Sequence, residues 1–132
     1  MASIYQEIVI EAGAQEVWAV IGEFATGPSR MAPGFVEDTR LDGECRVVTF
    51  ADGVKVRERP VTVDHDARRL VYSVISGSVT PEHDNAVMQV FEEGERSRLV
   101  WTRDVLPDAL AEPMADAMEH GLKVIKQTLD AL

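Results

Sequence analysis

An arginine shares one face of a predicted strand with large apolar side chains. The segment "LVWTRDV" (99–105) is typical of a strand, in which successive side chains point to opposite sides, so Arg103 faces the same way as Leu99 and Trp101. A buried charge is unfavourable unless another group pairs with it. Arg103 therefore needs a partner inside the fold.

The same alternation directs two acids and a phenol inward. Around Glu58, three basic residues alternate along the strand as a solvated outer face, which leaves Glu58 on the inner face. Tyr72 and Asp84 each alternate with apolar residues of their own strands. We expect Glu58, with Asp84 at the mouth of a cavity, to accept hydrogen bonds from Arg103, because arginine and carboxylate match geometrically in a dry site.

The cluster of inward polar side chains has two interpretations. In one, it orients the carboxylate or hydroxyl of a ligand inside an apolar cavity, as polar groups do in small-molecule sites. In the other, Arg103 and Glu58 satisfy each other, or Arg103 reaches the cavity mouth with only its stem buried. The candidate ligand-binding residues are Met31, Glu58, Tyr72, Asp84, Met88, Trp101, Arg103 and Met118.

Other reactive side chains do not form a recognisable centre. His65, His83 and His120 lack the mutual spacing and the cysteine partners of a zinc site. Cys45 is the single cysteine and has no evident histidine or asparagine partner. Phosphate-binding glycine loops and nucleophile elbows are also missing from the sequence. We expect no metal and no cofactor, and the catalytic residues, if any, stay unknown.

The composition narrows the class of partner. The chain of 132 residues has a formal net charge of −10 and a pI of about 4.6, which disfavours nucleic acid and anionic membrane surfaces as partners. The N-terminal segment carries no basic region before its short apolar run, so neither a signal peptide nor membrane insertion is expected. We expect a cytoplasmic protein that is a monomer or a homodimer.

The predicted elements place the polar residues on a sheet. A strand (3–11) precedes a helix (14–24) and an irregular or briefly helical stretch (25–34). From 35 to 105, turn-forming clusters separate six strand-like runs, too close together for crossover helices. These runs predict an antiparallel meander.

A long amphipathic helix ends the chain. Pro113 is tolerated only in the first turn of a helix, so the regular helix is expected to begin near Ala111 or Glu112. This helix would bury its apolar side chains by packing in the concave face of a twisted sheet. Packing of this kind often leaves a cavity between helix and sheet. That apolar face comprises Leu110, Met114, Met118, Leu122, Ile125 and Leu129.

Four segments in this order resemble the polyketide cyclase/dehydrase-like branch of the SRPBCC (START-like, helix-grip) superfamily. They are "EVWAVIGEF" (16–24), "DGVKVRERP" (52–60), "DARRLVYSV" (66–74) and "LVWTRDVLP" (99–107). The resemblance spans the chain as one domain, 1–132. It implies an α+β helix-grip fold, in which a seven-stranded curved antiparallel sheet wraps a long C-terminal helix, with one or two short helices after the first strand.

The resemblance implies three possible functions. Members of the superfamily bind lipids, sterols, hormones or polyketide intermediates beneath the long helix, so binding of a small apolar or amphipathic molecule is the leading hypothesis. An aromatase/cyclase- or dehydratase-like enzyme is the alternative, with Glu58 or Asp84 as general base and Arg103 or Tyr72 stabilising an enolate. The second alternative is a protein-interaction module, because fold alone does not choose among functions.

Two departures from the superfamily pattern affect the expected ligand. Met31, in "RMAP", stands where relatives often carry an aromatic residue, which predicts a softer rim of the pocket. Asp84, at the end of the loop "GSVTPEHD", stands where many relatives have tyrosine. The ligand of any one relative is therefore not transferred to this chain.

Overall fold

Seven strands and three helices follow each other in the predicted order. A computed structural model describes all residues from 1 to 132. A short 3-10 turn at Asp108–Leu110 leads into the last helix. The strands are β1 (Ala2–Ile10), β2 (Val36–Asp42), β3 (Cys45–Phe50), β4 (Lys55–Asp64), β5 (Arg69–Gly77), β6 (His83–Glu93) and β7 (Arg96–Leu106), and the helices are α1 (Ala14–Ile21), α2 (Gly27–Met31) and α3 (Ala111–Leu129).

The strands form one antiparallel sheet in the order β1-β7-β6-β5-β4-β3-β2. Strands β2 to β7 are therefore a meander in which each strand pairs with the next, and β1 joins the far edge beside β7. The curved seven-stranded sheet, the short helices after β1 and the long C-terminal helix confirm the predicted helix-grip fold.

Helix α3 is held against the sheet through hydrogen bonds to β1 and the residue that follows it. The Gln6 side-chain amide donates to the carbonyl of Ala115 at 2.9 Å, and Lys126 Nζ donates to the carbonyl of Val9 at 2.7 Å. At the end of the helix, the backbone N–H of Glu11 donates to Asp130 Oδ1 at 2.7 Å. The helix begins at Ala111, as predicted, with Pro113 in its first turn. None of the helices combines the length and apolar character needed to span a bilayer.

The core lies under the C-terminal half of α3. Leu122, Ile125 and Leu129 belong to one cluster of buried side chains that also includes residues of α1 and of the central strands, such as Val17 and Leu99. Burial of each such side chain contributes about 1.5–3 kcal/mol to folding. This packing fixes the axis of α3 over the sheet, and so fixes the position of its N-terminal half.

Candidate ligand-binding site

A cavity of about 620 Å³ lies between the N-terminal half of α3 and the sheet. Its volume falls within the range of about 300–1,000 Å³ that is typical of small-molecule sites. Met114 and Met118 of the helix and Leu110, which directly precedes it, line the cavity from one side. The strands contribute valines such as Val56 and Val74. Thirteen of the twenty lining residues are hydrophobic. The wall is thus apolar except at a few defined positions.

Three inward polar side chains of the sheet line this cavity: Glu58 on β4, Tyr72 on β5 and Arg103 on β7. Tyr72 is paired with Ala86 of β6, and Ala86 is paired in turn with Arg103. The small side chain of Ala86 lies between the two larger ones and is fully buried. The register therefore places a phenol and a guanidinium in one row across three strands.

Glu58 forms an ion pair with Arg46 of β3. Arg46 Nε donates to Glu58 Oε1 at 2.8 Å, and the two side chains are only 2% and 7% exposed. The residues face each other directly in the β3–β4 register. Arg46 Nη1 also donates to the carbonyl of Phe24 at 3.1 Å. Glu58 Oε2 accepts no hydrogen bond from the protein, so this oxygen is available to a ligand.

Arg103 forms a second buried ion pair, with Asp84. Arg103 Nε donates to Asp84 Oδ1 at 2.8 Å, and the Asp84 side chain is completely buried. Asp84 Oδ2 accepts from the backbone N–H of Val74 at 2.8 Å, and Ser73 Oγ donates to the Asp84 carbonyl at 2.6 Å. Asp84 is therefore fixed behind Arg103, and the two terminal nitrogens of Arg103 make no hydrogen bond to the protein.

Arg103 remains a cation in this environment. Burial disfavours the charged guanidinium, but Tyr72, Asp84 and Glu58 outweigh that effect and raise the pKa of Arg103 above its ordinary value. A charged guanidinium makes stronger hydrogen bonds than a neutral donor. Its free nitrogens are thus the strongest donors on the cavity wall.

Tyr72 lies between the two ion pairs. Its ring centroid is 5.2 Å from the Arg46 guanidinium and 5.7 Å from that of Arg103. Trp101 Nε1 donates to the Tyr72 hydroxyl at 3.1 Å. Burial raises the pKa of Tyr72 to about 12, so the phenol stays protonated near neutral pH. Its hydrogen has no acceptor in the protein, and Tyr72 can donate it to a bound molecule.

A second, smaller cavity of about 50 Å³ lies beside the first. Met31 and Met88 line this small cavity together with Arg46. Glu58 and Tyr72 belong to the walls of both cavities. The two methionines therefore sit behind the polar row and not on the wall of the main cavity.

Comparison with protein families identifies the group to which these features belong. A family model described as polyketide cyclase/dehydrase and lipid transport matches residues 1–132. The chain belongs to this family. The match confirms the resemblance to the polyketide cyclase/dehydrase-like branch of the SRPBCC superfamily. None of the curated proteins compared with the chain matches it.

Several solved structures share the fold of this chain. An uncharacterised protein from Bacillus thuringiensis has a TM-score of 0.84 at 22% identity, over 97% of this chain and 98% of that one. XoxI from Bacillus cereus has a TM-score of 0.82 at 23% identity, over 98% and 96%. Norcoclaurine synthase from Thalictrum flavum, solved with dopamine and hydroxybenzaldehyde, has a TM-score of 0.68 at 18% identity, over 96% and 84%.

The structure brings some of the candidate residues of this family member together and separates others. Glu58, Tyr72, Trp101, Arg103 and Met118 all line the main cavity. Two expectations about the acids are wrong. Glu58 pairs with Arg46 and not with Arg103, and Asp84 is sealed behind Arg103 and does not stand at the mouth. Met31 and Met88 are assigned to the smaller cavity.

Three further residues around this site were not predicted from the sequence. Arg46 is one of the most deeply buried side chains in the protein, and Phe35 and Phe50 line both cavities. Alternation along "CRVVTF" could have indicated Arg46 and Phe50, because they share one face of β3 with Val48. Arg46 is the cross-strand partner of Glu58, so the two side chains lie on the same face of the sheet.

The histidines occupy three separate places. His65 Nδ1 accepts the indole N–H of Trp18 at 3.1 Å, and His120 packs its ring against Phe35 at 4.9 Å between centroids. His120 is exposed on α3 but also lines the main cavity. Histidine, cysteine and acidic side chains are nowhere clustered in groups of three that could hold a metal ion.

Proposed function

We propose that this protein binds a small apolar or amphipathic molecule in the main cavity, with Glu58, Tyr72 and Arg103 contacting its polar end. The observation that supports the proposal most strongly is the combination of a cavity of about 620 Å³, mainly apolar, with buried polar atoms on one wall. Small-molecule sites are typically concave and apolar, with a few polar groups that fix the ligand's orientation.

Atoms of three side chains in this wall are free to contact a ligand. They are Glu58 Oε2, the hydroxyl hydrogen of Tyr72 and the terminal nitrogens of Arg103. The buried polar side-chain atoms that lack both a partner and solvent contact lie elsewhere, at Gln6, Ser97 and Arg98. Glu58 Oε2 and the terminal nitrogens of Arg103 are not among these atoms, and Tyr72, whose oxygen already accepts from Trp101, lines the main cavity.

Binding is favoured over catalysis by the state of the two acids. Each buried carboxylate, Glu58 and Asp84, already accepts a hydrogen bond from an arginine at 2.8 Å. A general base needs a free oxygen within hydrogen-bond reach of the proton it removes. Asp84 is sealed away from the cavity, so only Glu58 could meet this requirement, and the charge of Glu58 is already paired with Arg46. The fold relationship to norcoclaurine synthase, at 18% identity, transfers no catalytic residue to this chain.

The cavity also favours binding over a role as a protein-interaction module. A module of that kind needs a contact surface but no hollow interior, and a filled core would support it better than an open cavity. The exposed large apolar side chains are dispersed over several strands and both termini, for example Tyr5, Leu41 and Phe91. Single exposed apolar residues are normal on a protein surface and do not identify an interface.

A fluorescent probe tests the proposed site directly. Prodan is a neutral naphthyl ketone whose emission shifts to the blue in apolar surroundings, and we expect saturable, one-to-one binding with such a shift. Ala117 lines the cavity from α3 and is exposed, so Ala117→Trp should fill the opening with little effect on stability. We expect this variant to weaken binding at least about tenfold, which corresponds to about 1.4 kcal/mol.

Gln127→Trp is the matched control, because Gln127 is exposed on the same helix and lines neither cavity. It should bind Prodan as the parent does. Equal binding by both tryptophan variants, or no saturable binding by the parent, would contradict the proposed site. If the site is supported, native mass spectrometry of protein purified from its own host can identify a co-purifying natural ligand by its mass.

A further inference from the structure

We infer that the buried end of the ligand is an uncharged carbonyl oxygen, and that the cavity discriminates against a carboxylate of the same shape. The inference rests on the proposed function and defines the class of ligand that the site accepts. Its basis is the balance of charge and of hydrogen-bonding atoms along the polar wall.

The charges at the wall are already paired within the protein. Arg103 is neutralised by Asp84, and Arg46 is neutralised by Glu58, each at an N–O distance of 2.8 Å. A ligand carboxylate would bring an additional negative charge into a site where no cation lacks a partner. Burying a charge without a partner of opposite sign is strongly unfavourable.

Two further acids oppose an anion at the opening. Asp52 and Asp116 line the cavity and are exposed. Together with Glu58 and Asp84 they provide four negative charges, against two positive charges from Arg46 and Arg103. The charges of these six carboxylate and guanidinium groups therefore sum to −2, which has the same sign as the net charge of the chain. An anionic ligand meets repulsion both on entry and when bound.

The free hydrogen-bonding atoms, by contrast, match a neutral carbonyl group. Arg103 has terminal N–H groups without a protein acceptor, and the Tyr72 hydroxyl has a hydrogen without one. Tyr72 and Arg103 lie in the same row across the sheet, with only Ala86 between them. A carbonyl oxygen has two lone pairs and can accept from both donors without introducing charge. A hydroxyl next to that carbonyl could donate to Glu58 Oε2.

Three competitors of one skeleton separate these possibilities. We would displace Prodan with 2-acetylnaphthalene, 2-naphthoate and 2-ethylnaphthalene at pH 7.5. The ketone should displace Prodan at a concentration about tenfold or more below that of the carboxylate, on the scale of one charge-assisted hydrogen bond. The ethyl compound should lie between them, because it lacks both the acceptor and the charge.

Removing the counter-charge of Arg103 should change this ranking. Asp84→Asn leaves Arg103 without an ionised partner, so binding of 2-naphthoate should strengthen about tenfold relative to 2-acetylnaphthalene. Asp104→Asn is the matched control, because Asp104 is the next residue on β7, is exposed, and gives the same change in net charge. The control should keep the parent's ranking.

A third variant gives a result even if Asp84→Asn does not fold. Tyr72→Phe keeps the ring and removes the hydroxyl, so it should weaken binding of 2-acetylnaphthalene about fivefold or more and leave 2-ethylnaphthalene within about twofold. The outcomes distinguish a failure of the proposed function from a failure of this inference. If Prodan does not bind the parent, the proposed function and this inference both fail. If Prodan binds but 2-naphthoate competes as well as the ketone, or Tyr72→Phe weakens both neutral compounds equally, this inference alone is overturned.

Discussion

The apolar face of α3 has two halves that share one periodicity and differ in what lies opposite them. The closed half comprises Leu122, Ile125 and Leu129, and the open half comprises Leu110, Met114 and Met118. All three side chains of the closed half join the main buried cluster, whereas all three of the open half line the main cavity. The cavity therefore lies beneath the open half only.

The opposing residues explain this difference. Opposite the open half, the sheet presents Glu58, Tyr72 and Arg103, whose polar atoms need partners of their own and do not fill space beneath the helix. The cluster that the closed half joins includes many aliphatic side chains, such as Ile10 and Val90, which pack closely. One helix can thus provide stability at one end and a binding site at the other.

The largest effect is expected from shortening a side chain in the closed half. Leu129 is fully buried, so Leu129→Ala should lower the free energy of unfolding by about 2–5 kcal/mol. Met114 is only partly buried and borders open space, so Met114→Ala should lower it by less than about 1 kcal/mol. Urea denaturation of both variants measures the difference. Similar losses would mean that the two halves are equally packed.

A smaller loss of stability is expected when the ion pair of Arg103 is removed from the polar wall opposite the open half. Arg103→Met replaces the guanidinium with a flexible apolar chain and leaves the buried Asp84 carboxylate without its cation, although the N–H of Val74 still donates to it. We expect the free energy of unfolding to fall by about 1–3 kcal/mol. Arg96→Met is the control, because the Arg96 ion pair is exposed, and such pairs contribute about 0–1 kcal/mol. An effect of Arg103→Met no larger than that of the control would contradict a structural role for the Arg103–Asp84 pair.

The smallest expected effect is a pH-dependent loss of stability on removing Asp130, which follows the closed half of α3. The Glu11 backbone N–H, together with Lys126, lowers the pKa of Asp130 below its ordinary value. An acidic group whose pKa is lower in the folded than in the unfolded state stabilises the fold at pH values above its unfolded-state pKa. That stabilisation is lost as the pH falls through its folded-state pKa. Asp130→Ala should therefore reduce stability by about 0.5 kcal/mol at pH 7, since the group is partly exposed.

The difference between Asp130→Ala and the parent should decrease once the pH falls below about 4 and disappear below the lowered pKa. Urea denaturation at pH 7, 5, 4 and 3 follows this change. Asp38→Ala, which removes an exposed acid of β2 without a hydrogen-bonding role, should show no such dependence. A constant difference for Asp130→Ala at every pH would contradict the assigned role of its charge.

The fold and the inward direction of the polar side chains could be predicted because both depend on local periodicity. Alternation in the strands places Glu58, Tyr72 and Arg103 on the inner face, and the 3.6-residue period defines the buried face of α3. Arg46 was missed because Cys45 and Val47, on the opposite face of β3, are buried as well. A strand with both faces buried has no polar outer face against which to recognise an inward charge.

The predicted hydrogen bond from Arg103 to Asp84 is present, but the partner of Glu58 could not be predicted from the sequence. Whether Glu58 pairs with Arg46 or Arg103 depends on the register between strands and on side-chain rotamers, and neither is a local property. The register places Arg46 directly opposite Glu58, while the backbone of β5 and the side chain of Arg103 together hold Asp84. In this arrangement each of the two arginines is paired with a carboxylate of the protein.

The central claim is that the open half of α3 covers a ligand site whose polar wall includes Tyr72 and Arg103. A crystal structure of the protein soaked with 2-acetylnaphthalene tests this claim most directly. We predict electron density for the naphthalene rings between α3 and the sheet, with the ketone oxygen within about 3.2 Å of the Tyr72 hydroxyl or an Arg103 terminal nitrogen. A cavity filled by protein side chains, or a probe bound only on the outer surface, would contradict the account.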